Sequence, residues 1–445
     1  MKNKKIVKNH TKDEKSLDFK IEGGHKLSGN IEIKKSKNAA VGLLCASLLN
    51  KGKTTLKKLP KIEEVYRIIE VLESIGMKCE WQKNDLVLTP SKIDLKKINR
   101  IAAEKTRSVI MMIGPLIHHL VSFSLPHVGG CKLGKRIVSP HFYALENLGV
   151  KIVADENSYR VTSKKLNPAE FVLYEMGDTV TENVLMAAAL IPGITIIKFA
   201  SSNYMVQDLC HFLIALGVEI KGIGTSTLEI HGVKTIDHDI VFEMSEDPIE
   251  AMFFLTAGIV TKSSIVVERC PLDFLELELL KLKKMGFKYG ILKKYKGENG
   301  FVNLGDIKIF PSDLVALPEK IHALPYPGIN IDNLPYFVVI ATMAAGETLI
   351  HDWVYENRAI YYTELEKLGA SIKLADPHRV FIKGGQKLYH ADIVTPPALR
   401  PAAIILIAML EARGTSMLRN VYSINRGYED LAKRLKTLGA RIEIC

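Results

Sequence analysis

The chain has 445 residues, which is too long for one ordinary hydrophobic core and favours two or three domains. Hydrophobic residues make up 47% and charged residues 24%, which excludes a wholly disordered or fibrous protein. The net charge is +11, and the first 61 residues alone hold 16 lysines against 5 acids. Because the excess lies near the N-terminus, we favour a solvated basic segment over a nucleic-acid surface.

The N-terminal residues 1–16 are rich in lysine and lack the apolar stretch of a secretory signal, so we expect a flexible basic tail. No apolar run approaches the roughly 18 residues of a membrane span. The cysteines are scattered with no C-x-x-C pair, at Cys45, Cys79, Cys131, Cys210, Cys270 and Cys445. This pattern predicts reduced thiols of a cytoplasmic protein, with neither a disulfide framework nor a zinc site.

One short pattern recurs along the chain: an apolar helix ends in glycine and leads into a strand with alternating polarity. The copies are ESIGMKCEW (73–81), ENLGVKIVA (146–154), IALGVEIKG (214–222), KKMGFKYGI (283–291), EKLGASIKL (366–374) and KTLGARIEI (436–444). Glycine suits the end of a helix because it adopts a positive φ without strain. The sequence therefore predicts six related units.

Amphipathic helices precede these glycines. In the first copy one apolar stripe contains Ile62, Val65, Ile68, Ile69, Leu72 and Ile75. Several units also hold an earlier helix that is apolar on nearly every side and is therefore predicted to be buried, at 39–49, 184–191, 249–258, 336–345 and 402–410. Six units packed three and three predict an α/β protein with two lobes.

Positive side chains stand at several predicted helix starts, where the helix dipole disfavours them. They are Lys37 with Asn38 after the predicted cap Ser36, Arg358 before a helix ending at Gly369, Arg400 before Pro401, and Arg426 after Asn425 ahead of a helix over 428–438. Backbone N–H groups and cations together bind phosphate or carboxylate. We interpret these positions as anion-binding sites; the alternative is that each cation is solvated.

Two further residues have a functional and a structural interpretation. Cys131 lies in the glycine-rich loop SLPHVGGCKLGKR (124–136), where neighbouring cations would stabilise a reactive thiolate, although a lone cysteine is usually a small buried hydrophobe. Asp332 stands just before a predicted helix, where it is either an N-cap or a catalytic base.

From about Phe19 to the C-terminus, the sequence resembles the UDP-N-acetylglucosamine enolpyruvyl transferases (1-carboxyvinyltransferases) of peptidoglycan synthesis. The matching segments are GGHKLSGNIEIKKSKNAA (23–40), TRSVIMMIGPL (106–116), VGGCKLGKR (128–136), TEN (181–183), YPGINIDN (326–333), VYENR (354–358) and RGYEDL (426–431). The related shikimate-3-phosphate branch lacks the Gly-Gly-Cys loop.

The resemblance implies a two-lobed inverse α/β prism, with three βαβαββ units in each lobe. It implies that residues 17–36 and 247–445 form lobe one and that residues 37–246 form lobe two, which carries the Gly-Gly-Cys loop. It also implies a monomer that needs no cofactor or metal and binds neither nucleic acid nor a membrane.

The implied reaction transfers the enolpyruvyl group of phosphoenolpyruvate to the 3-hydroxyl of UDP-N-acetylglucosamine and releases phosphate, the first committed step of peptidoglycan synthesis. This step supports cell-wall growth, cell shape and division, and the resemblance implies that fosfomycin alkylates Cys131. The implied roles are catalysis by Cys131 as acid, Asp332 as base and Lys37; phosphoenolpyruvate binding by Lys37, Arg136, Arg358, Arg400 and Arg426; and UDP-sugar binding by Asn38, Arg107, Asp332 and Val354.

The sequence departs from the family mainly on the nucleotide-sugar side, over Gly177–Thr179, Ser202–Met205 and Asp247–Glu250, and at Met111. On the phosphoenolpyruvate side, Ala398 and Asn425 stand where the family usually has Asp. Two alternatives therefore stay open: an enolpyruvyl transferase for another nucleotide or nucleotide-sugar, and a non-catalytic paralogue.

Overall fold

The computed structural model describes residues 17–127 and 138–445. Its strands are β1 (Phe19–Glu22), β2 (Ser28–Glu32), β3 (Thr54–Lys57), β4 (Lys78–Gln82), β5 (Asp85–Thr89), β6 (Ser122–Pro126), β7 (Lys151–Ala154), β8 (Ser158–Thr162), β9 (Glu170–Val172), β10 (Gly193–Lys198), β11 (Glu219–Lys221), β12 (Thr227–Gly232), β13 (Ile240–Glu243), β14 (Ser264–Pro271), β15 (Lys288–Lys296), β16 (Asn303–Phe310), β17 (Ile321–His322), β18 (Glu347–His351), β19 (Ser371–Asp376), β20 (Arg379–Lys383), β21 (Asp392–Val394), β22 (Thr415–Arg419) and β23 (Arg441–Ile444).

The α-helices are α1 (Lys37–Ala46), α2 (Glu63–Ser74), α3 (Arg100–Lys105), α4 (Ile113–Leu116), α5 (Ser139–Glu146), α6 (Asp178–Ala188), α7 (Tyr204–Ala215), α8 (Pro248–Val260), α9 (Glu276–Lys284), α10 (Leu334–Met343), α11 (Leu399–Glu411), α12 (Tyr422–Asn425) and α13 (Leu431–Thr437). Short 3₁₀ helices cover Ser47–Leu49, Leu95–Lys97, Arg107–Met112, Leu272–Phe274 and Ala359–Leu368. No helix in the described ranges combines the length and apolar character that crossing a membrane requires.

Six small sheets confirm the prediction of six units. Their strand orders are β13-β3-β5-β4, β6-β8-β7, β11-β12-β10-β9, β15-β16-β14-β2, β17-β18-β20-β19 and β21-β22-β1-β23. Each sheet contains one strand that follows a repeat glycine, and all six glycines have φ between 90° and 115°, at Gly76, Gly149, Gly217, Gly286, Gly369 and Gly439. The left-handed conformation explains why glycine recurs there.

The apolar helices pack together in two groups behind these sheets. Helices α8, α10 and α11 contact one another, and α6 contacts both α1 and α4. We call the sheets and helices around α8, α10 and α11 lobe one, and those around α1, α4 and α6 lobe two. Both N-terminal strands join lobe one: β1 pairs with β22 and β23, and β2 pairs with β14. The division at residues 36/37 and 246/247 stays a prediction that these pairings support.

The two chain segments that connect the lobes lie side by side. Lys35 forms a β-bridge with Glu246, and the Ser36 backbone N–H donates to the Ser245 carbonyl at 2.9 Å. The buried Lys35 ammonium also contacts the carboxylates of Glu243 and Glu246 at 2.9 and 2.8 Å. This junction fixes the start of α1, which leads directly into the cleft.

The five predicted apolar helices correspond to α1, α6, α8, α10 and α11, although α6 begins at Asp178 and not at residue 184, and the predicted helix ending at Gly369 is a 3₁₀ helix. A further predicted helix was wrong in its start. The predicted helix over 428–438 is α13 (Leu431–Thr437), and the separate short helix α12 ends at Asn425. Asp430 has φ 49° and separates the two helices. Arg426 therefore follows a helix instead of opening one, a position that the helix dipole favours for a cation.

Candidate active site

A cavity of about 260 Å³ opens between the lobes and collects charged side chains from both. Its cations are Lys37, Arg107, Arg358, Arg400 and Arg426, and its acids are Glu64, Asp178, Glu182 and Asp332. Asn38 also lines it. Seven of the residues predicted for the site thus share one cavity, although they are up to 389 residues apart in sequence.

The start of α1 brings Lys37 and Asn38 into the cavity. Ser36 caps this helix as predicted, since its hydroxyl accepts from the Ala39 N–H at 3.1 Å. The Asn38 amide donates to the Tyr204 hydroxyl at 3.0 Å. Burial lowers the pKa of the Lys37 ammonium, and Arg400 and Arg426 act in the same direction, while Glu64 and Asp332 oppose them. An anion bound beside Lys37 would relieve this repulsion.

Arg358 is completely buried and held rigidly on the lobe-one side. Its guanidinium makes a two-point contact with the Asp352 carboxylate, at 2.6 Å from Nε and 2.9 Å from Nη2. Nη2 also donates to the Ile331 carbonyl at 2.9 Å, whereas Nη1 has no hydrogen-bond partner within the described chain. An unpartnered, buried N–H in a cavity wall is suited to receiving an oxygen of a ligand.

Asp332 lies among the cations and is not the N-cap of α10, because Asn333 occupies that position. Its carboxylate accepts from Arg400 Nη2 at 3.1 Å and lies 3.9 Å from Arg358 Nη1. Burial by itself would raise the pKa of the Asp332 carboxyl, but the charges of Arg400, Arg358 and Lys37 outweigh it and hold the pKa below its usual value. Asp332 is therefore ionised at neutral pH and able to accept a proton.

Arg400 extends from the first turn of α11 and is only 6% exposed. Its Nη1 donates to the Tyr428 hydroxyl at 3.0 Å, and that hydroxyl is hydrogen-bonded to the Tyr336 hydroxyl. Ala398 is buried at the N-cap position of α11 and supplies no side-chain cap. The departure at this residue leaves Arg400 oriented by Asp332 and Tyr428.

Arg426 contacts lobe two through Glu64, a residue that the sequence analysis did not select. Arg426 Nη2 donates to Glu64 Oε2 at 2.8 Å, and the Thr106 hydroxyl donates to Glu64 Oε1 at 2.5 Å. Glu64 lies in the first turn of α2, where the sequence analysis considered only the apolar stripe. The sequence does show an acidic residue in the first turn of a predicted helix. Acids are common at helix starts because the helix dipole favours them, so this position did not single out Glu64 as a site residue.

Part of the lobe-two wall comes from segments that depart from the family, since Met111, Asp178, Thr179 and Met205 line the cavity. Asp178 begins α6 and accepts from the Ser201 hydroxyl at 2.5 Å and the Asn203 amide at 3.2 Å. Asn203 in turn accepts from the Asn330 amide of lobe one at 3.2 Å. Burial raises the pKa of the Asp178 carboxyl, which the bonds from Ser201 and Asn203 oppose. Burial also raises the pKa of Glu182 well above its usual value, with Asp178 adding to the effect.

Three predicted site residues are not among those brought together. Cys131 and Arg136 lie outside the described residues. Val354 is 43% exposed and does not line the cavity, whereas the neighbouring Tyr355 does. Tyr355 also stacks on the Arg358 guanidinium, with the ring centroid 4.5 Å from Cζ.

The arrangement is suited to a small anion with several oxygens. Guanidinium groups and a lysine ammonium converge on the cavity, and the negative charges that face them are carboxylates of the protein itself. In the described ranges, no group of three or more His, Cys, Asp or Glu side chains is placed to hold a metal ion.

Comparison with known proteins gives a consistent result over the whole chain. A family model described as EPSP synthase (3-phosphoshikimate 1-carboxyvinyltransferase) matches residues 21–435. The UDP-N-acetylglucosamine 1-carboxyvinyltransferase of Bradyrhizobium diazoefficiens is 34% identical over 430 residues, which cover 96% of this chain and 98% of that protein. The protein of the same name from Treponema denticola is 34% identical over 428 residues, covering 96% and 99%.

Two solved structures show the same fold. The enolpyruvyl transferase NikO from Streptomyces tendae has a TM-score of 0.84 at 20% identity and covers 97% of this chain and 99% of its own. An EPSP synthase from Acinetobacter baumannii has a TM-score of 0.74 at 17% identity, with 96% and 100% covered. The fold predicted from the sequence is thereby confirmed.

Proposed function

Because this chain belongs to the EPSP synthase family of 1-carboxyvinyl (enolpyruvyl) transferases, we propose that it transfers the enolpyruvyl group of phosphoenolpyruvate to the 3-hydroxyl of UDP-N-acetylglucosamine. The observation that carries the proposal is the cavity in which Lys37, Arg358, Arg400 and Arg426 surround the ionised Asp332. Phosphoenolpyruvate offers two anionic groups to such a set of cations.

The proposed reaction is an addition followed by an elimination. The acceptor oxygen forms a bond to C2 of phosphoenolpyruvate, its proton passes to Asp332, and C3 gains a proton from Cys131 to become a methyl group. The C2–O bond to phosphate then breaks, the methyl group returns a proton to the Cys131 thiolate, and inorganic phosphate leaves with the proton that Asp332 had accepted. The cations stabilise the negative charge on the tetrahedral intermediate more strongly in a cleft that excludes water.

The division of roles follows the resemblance, and the contacts that hold each side chain support it. Arg358 and Arg400, fixed by Asp352 and Tyr428, bind the carboxylate of phosphoenolpyruvate. Lys37 and Arg426 bind its phosphate together with Arg136. Asn38 and Arg107 lie beside lobe two and contact the UDP-sugar. The protein is proposed to act as a cytoplasmic monomer in peptidoglycan synthesis.

A second candidate acceptor is another nucleotide or nucleotide-sugar, because Asp178 adds a carboxyl group to the wall where the acceptor should lie. A carboxylate close to a diphosphate weakens binding. The divergence of Gly177–Thr179 and Ser202–Met205 is compatible with either acceptor.

Phosphate release in the presence of phosphoenolpyruvate and a panel of acceptors tests the proposal. Turnover with UDP-N-acetylglucosamine, and formation of its enolpyruvyl ether by mass spectrometry, is the expected result. Turnover with UMP or another nucleotide alone would transfer the proposal to the second acceptor class. Binding of phosphoenolpyruvate without turnover of any acceptor would indicate a non-catalytic paralogue.

The role of Cys131 has a separate test. Fosfomycin is expected to add its mass to the protein once, faster with UDP-N-acetylglucosamine present, and Cys131→Ser should prevent the addition. Cys445→Ser is a matched control, because Cys445 is the exposed cysteine among those described. Addition that persists in Cys131→Ser would remove Cys131 from the mechanism.

A further inference from the structure

The start of α2 in lobe two and the segment 426–429 in lobe one hold each other by two reciprocal contacts. The Lys61 backbone N–H donates to Glu429 Oε2 at 3.0 Å, and Arg426 Nη2 donates to Glu64 Oε2 at 2.8 Å. Both contacts cross the cleft, and the second lies inside the cavity. The Arg426 guanidinium is therefore already engaged by an anion that the protein supplies.

Glu64 is well suited to remain charged in this position. Its side chain is 9% exposed, and both of its oxygens accept hydrogen bonds, from Thr106 and from Arg426. Burial alone would raise the pKa of the Glu64 carboxyl, but Lys37, Arg426 and the bond from Thr106 outweigh it, so the pKa lies below its usual value. Glu64 also opposes the effect of burial on Lys37.

Glu64 thus pairs with Arg426 and adds an opposing charge near Lys37, the two described cations that the proposed function gives to the phosphate of phosphoenolpyruvate. A carboxylate and a phosphate cannot both occupy the space beside Lys37 and Arg426 without strong repulsion, because like charges interact more strongly in a buried site than in water. We propose that Glu64 is a built-in competitor of the substrate phosphate: in the empty cleft it pairs with Arg426 and its charge offsets that of nearby Lys37, and phosphate displaces it on binding. That the ligand displacing Glu64 is phosphate rests on the proposed function.

Two consequences follow from such competition. Phosphoenolpyruvate binds more weakly than the cations alone would allow, and the product phosphate leaves more readily because Glu64 returns to Arg426. Thr106 assists by holding Glu64 next to the site when phosphate is bound. Glu64 therefore acts on the affinity for phosphate through Arg426 and Lys37 and takes no part in proton transfer.

The test is Glu64→Gln, which keeps the shape of the side chain and removes its charge. Calorimetry with inorganic phosphate alone, and then with phosphoenolpyruvate, should show dissociation constants lower by about tenfold, because a competing buried charge is gone. The KM for phosphoenolpyruvate and the inhibition constant of product phosphate should fall together, while the KM of the acceptor stays unchanged. Glu63→Gln is the matched control, because Glu63 pairs with Arg67 and does not line the cavity.

A second variant distinguishes competition from simple orientation of Arg426. Glu64→Ala removes the hydrogen-bond acceptor as well as the charge, and it should also tighten phosphate binding. Weaker or unchanged phosphate binding in both variants would overturn the proposal. Since phosphate binding is measured without an acceptor, a failure to turn over UDP-N-acetylglucosamine would contradict the proposed function and leave this result standing.

Discussion

The region of the cavity around Asp332 and the region around Asp178 handle buried charge in opposite ways. On the lobe-one wall, Arg358 and Arg400 face carboxylates at hydrogen-bonding distance, and the pKa of Asp332 is held low by these cations. On the lobe-two wall, Asp178 has the neutral partners Ser201 and Asn203, and burial raises the pKa values of Asp178 and Glu182.

This difference separates carboxylates that are stabilised by cations from carboxyl groups whose charged form is disfavoured by burial. Asp332, with its pKa held low, and Arg358 and Arg400, with their pKa values raised, keep their charges throughout the neutral range. A carboxyl whose pKa is raised by burial gains or loses its charge with small changes around it. If the acceptor binds at the lobe-two wall as proposed, we expect its affinity to be sensitive to the charge of Asp178 and Glu182.

The largest effect is expected at the lobe-one wall. Asp332→Asn removes the proposed proton acceptor, so kcat measured by phosphate release should fall by about 10²–10⁴. Phosphoenolpyruvate binding should persist, because the amide oxygen of asparagine can still accept the hydrogen bond from Arg400. Asp313→Asn is a suitable control, since Asp313 is an exposed acid of the same lobe. Retention of full turnover in Asp332→Asn would assign the base elsewhere.

A smaller loss is expected where the two walls meet. Lys37→Ala should weaken phosphoenolpyruvate binding by about 10–100-fold, the value of one hydrogen bond to a charged group. Calorimetry measures the affinity, and circular dichroism should show an unchanged fold because the Ser36 cap of α1 remains. Lys34→Ala controls for loss of a lysine, since Lys34 is exposed on the same segment. Equal affinity in Lys37→Ala and native protein would contradict the anion site at α1.

Behind the lobe-two wall, buried Asp208 predicts a pH dependence of stability. Its carboxylate accepts from the Ser245 N–H and hydroxyl at 2.9 and 3.0 Å. Burial raises its pKa to about 7, with Glu246 adding to this while the Ser245 bonds and Lys35 oppose it. Unfolded Asp titrates near about 3.9, so the protonated form stabilises the fold fully below that pH, and this contribution is lost as the pH rises through 7.

The corresponding measurement is urea unfolding at pH 6 and pH 8. Titration of Asp208 should lower the free energy of unfolding by about 1.4 kcal/mol between these values. Asp208→Asn carries no charge at either pH, so it should lack this part of the decrease. Asp239→Asn, at an exposed position, should retain it. The same pH dependence in Asp208→Asn and native protein would show that another group is responsible.

The smallest effect is expected at the acceptor. Asp178→Asn should lower the KM for UDP-N-acetylglucosamine by roughly two- to fivefold, because it removes a carboxylate that would repel the proposed diphosphate. The effect is small because solvent and salt screen part of this repulsion. The KM for phosphoenolpyruvate should not change. A higher KM for the acceptor would mean instead that Asp178 accepts a hydrogen bond from it, and the two walls would then both be adapted to the substrates.

The fold was largely predictable because its repeat is local. Gly76 and the five equivalent glycines each end a helix at positive φ, which only the adjacent residues determine. Helix starts were less predictable: Arg426 was assigned to a helix N-terminus, but the unusual φ of Asp430 delays that helix. A single residue in a left-handed conformation has no strong sequence signature unless it is glycine.

Site residues at predicted helix starts could be recognised from the sequence. A site residue that matters because of a partner in the other lobe could not. Lys37 and Arg400 were found from their positions in sequence, and the cavity contains both. Glu64 was missed because its importance depends on Arg426, which is 362 residues away. Val354 was carried over from the resemblance, and its outward position could be seen only once the fold was known.

The position of β1 affects the order in which the sheets can form during synthesis. Phe19 pairs with both Leu418 and Ile444, so β1 finds its neighbours only after β22 and β23 have been synthesised. The sheets of lobe two draw their partners from β3 to β13 and can close much earlier. Until then β1 is an unpaired edge, and its alternating Lys20 and Glu22 protect the nascent chain from sticking to others.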